Sequence, residues 1–261
     1  GKFTCINHTK KGKTTSFDND FSAKLFKFRL NEKELKKERL LFSDDFEISV
    51  IDQMFQLTDS VHVLRAGEIN LSTVKSNVEI KNALLYPLIT SKKYNSLPTT
   101  FQVTIPEIQL SNLDYLKAYY SKELQLNRVD LNDPLVEIYT QPDASKSLDL
   151  NKFKFPLPAF LKSLQLNELK INNAEVINYT IDGLKQNAQS TFKINLSLPR
   201  VSLKNNADNQ AQLTTQNLIA NFYDFRTPLG RNHELKMAQL DFNRSKKNIK
   251  IGTETSFIQN P

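Results

Sequence analysis

The sequence predicts a mainly β fold: a strongly bent antiparallel sheet of about a dozen strands, with internal repeats and one or two short helices. Three observations carry this reading. The first is a spacing of apolar residues at n, n+2, n+5 and n+7. It occurs as Val103, Ile105, Ile108, Leu110; as Leu124, Leu126, Val129, Leu131; as Leu164, Leu166, Leu169, Ile171; as Leu196, Leu198, Val201, Leu203; and as Leu235, Met237, Leu240, Phe242. Wound into a helix, these positions scatter round the axis and leave no apolar stripe. In a strand, each pair shares a face, and one extra residue between the pairs, as in a β-bulge, brings all four together. Pro106 and Pro199 stand at two of the junctions, where bulges and edges tolerate proline. A tight turn at the junction is the competing reading.

The second observation is a duplication. "KELQLNRVDLNDPLVEIYT" (122–140) is restated forty residues later as "KSLQLNELKINNAEVINYT" (162–180), with nine of nineteen positions identical. The third is two-residue alternation elsewhere. Taken in order, it marks strands at Phe46, Ile48 and Val50, at Val61 and Val63, at Phe153 and Phe155, at Phe192 and Ile194, and at Ile249 and Ile251. Ile69, Leu71 and Val74 form an imperfect sixth copy of the spacing, ended by Ser76. Turn-forming residues separate these runs at 58–60, 65–68 ("RAGE"), 95–98, 141–145, 181–183, 204–210 and 228–230. One short helix is expected over Leu113 to Tyr120 with Ser111 as its cap, and a second over Ala159 to Ser163 behind Pro158.

Such a sheet has an apolar face that requires a cover. Either a second sheet closes it into a sandwich, or the sheet curls and the face becomes a groove for an apolar ligand. The spacing alone leaves both open.

With 261 residues the chain can bury a substantial core. Hydrophobic residues reach only 39%, but 17 Phe and 8 Tyr supply bulky surface suited to strands. Net charge is +7, with cations dispersed among 28 acids; the densest run, "EKELKKER" (32–39), alternates in sign like a solvated surface segment. No basic stripe interleaved with aromatics is present, so nucleic acid is not an expected partner. The apolar runs at 83–89 and 155–161 are too short to cross a bilayer. Cys5 is the single cysteine, which excludes intrachain disulfides and multi-thiolate metal sites.

Catalysis is not expected. Six glycines allow no phosphate-cradling loop, and neither a G-x-S-x-G elbow nor an H-E-x-x-H helix occurs. His8, His62 and His233 are remote from one another and read as surface or turn residues. Asp18/Asp20 and Asp44/Asp45 lack the spacing of a calcium loop. No metal and no cofactor is therefore expected.

Residues 40–87, "LFSDDFEISVIDQMFQLTDSVHVLRAGEINLSTVKSNVEIKNALLYP", resemble the AsmA-like proteins of Gram-negative envelopes as they occur in Bacteroidetes, relatives of bridge-like lipid-transfer proteins. The block "VTIPEIQLSNLDYLKAYYSKELQLNRVDLNDPLVEIYT" (102–140) is similar to their "IP" strand, short helix and "IY" strand. "LQLNELKINNAEVINYT" (164–180) resembles a further element of that group, with Asn173-Ala174 where many members have Asn-Gly. The resemblance implies an elongated sheet in the periplasm, an inner-membrane anchor upstream, and a role in lipid binding or transfer or in outer-membrane upkeep. It carries no catalytic residues. The expected apolar ligand face comprises Val103, Ile105, Ile108, Leu110, Leu124, Leu126, Leu164, Leu166, Leu169, Ile171, Leu196 and Leu198. The alternative is a closed sandwich with protein partners only. Residues 1–22 are expected as a flexible segment before a repeat-containing β domain over 23–261, with a sub-boundary near 88–100.

Overall fold

The computed structural model describes residues 2–8, 14–30, 39–56, 61–88, 97–141, 162–182, 185–205, 211–229, 233–252 and 255–259. Fifteen strands join in one sheet. Its main path runs β1 (Lys2–His8), β2 (Thr14–Phe26), β3 (Asp45–Gln56), β4 (His62–Ser72), β5 (Asn77–Pro87), β6 (Thr99–Ser111), β7 (Glu123–Asn132), β9 (Ser163–Asp182), β10 (Lys185–Asn205), β12 (Ile219–Pro228), β13 (His233–Asn243), β14 (Asn248–Ile251). Off this path, β8 (Leu135–Thr140) pairs with β6 and β9, β11 (Ala211–Thr214) with β10, and β15 (Thr255–Gln259) with β13. Strand β2 spans the boundary expected at residue 22. Strands β5 and β6 pair across the sub-boundary expected near 88–100.

Most neighbours are antiparallel, but β7 and β8 lie parallel to β9, a departure from the uniformly antiparallel sheet. This is where the duplicated segment sits. Leu124 faces Leu164, Leu126 faces Leu166 and Tyr139 faces Tyr179, so the two copies are paired in register. Like side chains therefore meet. Gln125 donates to Gln165 (3.1 Å), Asn167 to Asn127 (2.9 Å) and Asn172 to Asn132 (2.9 Å), while the Tyr139 and Tyr179 rings stack 5.2 Å apart. Matched amide and aromatic ladders reward identical residues in neighbouring strands, a physical reason for the chain to repeat itself. A parallel pair also needs a long return connection, and residues 141–162 supply its length.

The one helix among the described residues, α1 (Tyr115–Ser121), follows Asp114, whose carboxylate accepts the Lys117 amide at 2.9 Å. Asp114, not Ser111, is the cap; Ser111 ends β6 and its hydroxyl donates to the Arg128 carbonyl. Of the second expected helix, Ser163 opens β9 instead, and 159–161 lie outside the described residues. So do Phe153 and Phe155, the turns at 58–60 and 142–145, and 32–38.

The expected bulges take another form. Asp52 and Gly67 drop out of the ladder together between Ile51↔Glu68 and Gln53↔Ala66. Gly67 and Asn82, then Asn82 and Pro106, do the same, and Asp224 with Ala238 likewise. Because both partners lose one residue, register is kept and a crease crosses the sheet. Asp52, Asn82, Asp133, Asn173 and Asp224 carry the crease with φ between 49° and 55°. Asn and Asp tolerate this left-handed conformation better than other side chains. "RAGE" is consequently the middle of β4 rather than a turn. A shorter crease passes through Asn127, Asn167 and Arg200, the last with φ 52°.

Hydrogen-bonded carboxylates line the opposite, polar face. The side-chain bond and charge of Arg65 hold Asp52 below its ordinary 3.8, and bonds from Gln239 and Asn221 do the same for Asp241. Both groups are bound less tightly to protons when folded, so their contribution is present above 3.8 and lost as pH falls through the depressed values. Urea midpoints are expected to decline below about pH 4, less steeply in Asp241→Asn; identical slopes would refute the assignment.

Candidate functional site: an apolar sheet face

Residues opposite one another in a ladder share a face, so register assembles the rhythm of single strands into rows. One row reads Phe21, Val50, Ile69, Ile80, Ile108, Leu131, Ile171, Leu196, Ala220, Phe242, Ile249, without a polar interruption from β2 to β14. The next reads Ala23, Ile48, Leu71, Val78, Leu110, Val129, Leu169, Leu198. Between them, on the reverse face, run Ser22, Ser49, Asn70, Glu79, Gln109, Asp130, Lys170 and Ser197. One face is greasy and the other wet.

All twelve residues expected at the site fall on the apolar face. Leu126, Leu166 and Leu198 are buried with Val201 at the shorter crease, and Leu110, Leu113, Leu124, Leu164, Leu169 and Leu196 pack against them. First and second pairs of the spacing thus meet in one cluster, as the bulge argument required. Val103, Ile105, Ile108 and Ile171 lie toward the main crease and beyond it, half-buried. Ala66, Ala83 and Ala174 flank the crease and are 2–3% exposed. Short side chains let the larger rows on either side close over them.

Exposure decides what covers this face. In a sandwich the central rows would be sealed by the facing sheet. Here Val50, Ile69, Ile80, Ile108, Leu131 and Ile171 are all only half-buried, shielded by their ladder neighbours. The described strands make one sheet, not two packed sheets.

The ends differ. At one, α1 reaches over β3, the Tyr115 ring standing 6.1 Å from Phe46 in an edge-to-face contact. Burial, then the carboxylates Asp45, Asp114 and Asp44, hold the Tyr115 hydroxyl above its usual range. At the other, His62 is buried and stacks on Phe101 at 4.2 Å. It is thus a packing residue, not the surface residue its turn-like surroundings suggested. Asp44 pairs with Arg39 (2.8 Å) and Asp45 accepts from Thr73 (3.1 Å), which gives both structural partners. Among the described residues no His, Cys, Asp and Glu cluster suits a metal ion, and no helix is long and apolar enough to cross a membrane.

Neither a scan against protein-family models nor a search of curated proteins returned a match.

The sequence overlooked part of the face for an identifiable reason. Strand β4 carries the same spacing as Leu64, Ala66, Ile69, Leu71, and β5 as Val78, Ile80, Ala83, Leu85. Counting alanine as apolar would have found both. Val74, assigned to the imperfect sixth copy, is instead an exposed residue of the β4–β5 turn.

Proposed function

We propose that this chain is a non-enzymatic lipid-binding domain of a Gram-negative envelope, resident in the periplasm and anchored upstream to the inner membrane. The observation that carries the proposal is the unbroken apolar row from β2 to β14, left half-exposed along its middle strands. The resemblance of 40–87, 102–140 and 164–180 to AsmA-like proteins supports the location and the link to lipid transfer or outer-membrane upkeep.

Energetics favour lipids with two or more acyl chains. Burial contributes about 0.8 kcal/mol per CH₂, and a chain lying on an open face is covered on one side only. Half of that value gives ~6 kcal/mol for a chain of about 16 carbons and ~12 kcal/mol for two. Association itself costs about 4–15 kcal/mol, so one chain is marginal and two suffice.

The protein purified from a membrane-containing lysate is expected to retain phospholipid in native mass spectrometry. An acyl probe carrying a photoreactive diazirine should crosslink to inner-face positions of β4 to β9. Substituting Ile80→Asn and Ile108→Asn together should lower lipid retention by about tenfold or more, roughly 1.4 kcal/mol per factor of ten. A lipid-free wild-type protein, or crosslinks confined to the polar face, would refute the proposal irrespective of how well the variant folds.

A further inference from the structure

Six of the fourteen exposed large apolar side chains among the described residues gather at one end of the sheet: Phe28, Leu30, Leu41, Phe42, Tyr119 and Tyr120, each 41–69% exposed. They form one surface. The Phe28 and Phe42 rings meet edge to face at 6.4 Å, and Tyr119 and Tyr120 at 5.0 Å. The Tyr120 hydroxyl donates to the Arg39 carbonyl (3.3 Å), which ties α1 to the segment before β3. The Arg29 amide donates to the Phe42 carbonyl (2.9 Å) and the Arg39 guanidinium to the Lys27 carbonyl (2.7 Å), closing the other side.

Cations are interleaved with this surface. Residues 24–30 read "KLFKFRL", three cations and four large apolar residues without a carboxylate. Lys122 stands over the Tyr119 ring at 5.3 Å and Lys24 over Phe26 at 4.7 Å. The nearby carboxylates are engaged: Asp44 by Arg39 (2.8 Å) and Lys27 (3.8 Å), Asp114 by the helix cap, Glu123 by Lys117 (3.9 Å). Across 24–30, 39–45 and 113–123, six cations face four carboxylates.

A contiguous exposed apolar patch of this kind marks an interaction surface. Its composition favours a bilayer over a protein. Tyrosines and phenylalanines suit the headgroup region, and long cationic side chains extend toward lipid phosphates while their stems lie along the apolar rings. We propose that this end of the sheet, built from 24–30, 39–44 and α1, docks on an anionic bilayer surface. The surface lies apart from the ligand face and does not depend on it.

The full chain is mixed with phosphatidylcholine vesicles with and without phosphatidylglycerol, and binding is read by flotation. Wild-type protein is expected to float with anionic vesicles, several-fold less with neutral ones, and several-fold less at about 0.5 M salt. The variant carrying Phe28→Ser, Leu30→Ser and Phe42→Ser should bind about tenfold less, while acyl-probe crosslinking on β4 to β9 persists. The Ile80→Asn, Ile108→Asn variant should float like wild type, so the two proposals fail separately. Should the triple variant unfold by circular dichroism, Leu30→Cys in a Cys5→Ser background, labelled with a polarity-sensitive dye, replaces it. A blue shift on anionic vesicles supports docking; no shift overturns it. Wild-type protein that stays unbound, a triple variant that floats equally well, or a patch whose substitution instead turns a dimer into a monomer in sedimentation also overturns it.

Discussion

Leu166→Ala is expected to destabilise the protein by about 3 kcal/mol, the usual range for a buried leucine that leaves a cavity. Leu166 is 5% exposed, lies opposite Leu126 and Val201, and is buried in the cluster that also contains Leu198. Its loss leaves neighbours on both strands without contacts, and the shorter crease at Asn167 limits their collapse. For a chain of this size about 2–4 °C accompanies each kcal/mol, so the melting temperature should fall by roughly 6–12 °C. Leu164→Ala, two residues earlier and half-buried, should cost about 1–2 kcal/mol. Equal losses in paired thermal melts would show that the cluster is not a packed core.

Asn173→Val should cost about 2–4 kcal/mol, for reasons in the backbone as well as the side chain. Asn173 holds φ 53° on the main crease, a conformation that costs a β-branched residue about 1–2 kcal/mol. Its amide side chain also donates to Asp133 (2.6 Å) and accepts from the Tyr223 hydroxyl (2.7 Å), joining β8's approach, β9 and β12 across the crease. Each such bond contributes about 0.5–1.5 kcal/mol, toward the lower end at this exposed position. Asn173→Gly keeps the left-handed backbone and loses only the bonds, so it should be distinctly milder. A glycine variant as unstable as the valine variant, measured by urea unfolding, would remove the conformational part of the argument.

The interval of apolar residues at 103–110, 124–131, 164–171, 196–203 and 235–242 was enough to place bent strands with one greasy face, because side-chain direction follows the local period of the backbone. It also located the irregularities: Pro106, Asn127, Asn167, Arg200 and Ala238 each leave the ladder where a junction was expected. Their form was not legible. A bulge and a matched crease demand the same spacing in one strand, and only the partner strand distinguishes them. The helix at 115–121 was legible to within two residues, whereas its cap was misplaced because Ser111 is consumed by β6.

Fold class, the single-sided apolar pattern and the repeat were therefore set by the sequence alone, since each follows from residue spacing along one strand. Which strands become neighbours, and that the two copies lie parallel with Asn on Asn and Tyr on Tyr, emerged only from tertiary structure. So did the half-exposure of the central rows and the meeting of Phe28, Phe42 and Tyr119 at one end. Partner choice is settled by contacts summed over residues far apart in the chain, and exposure by whatever fails to pack above them.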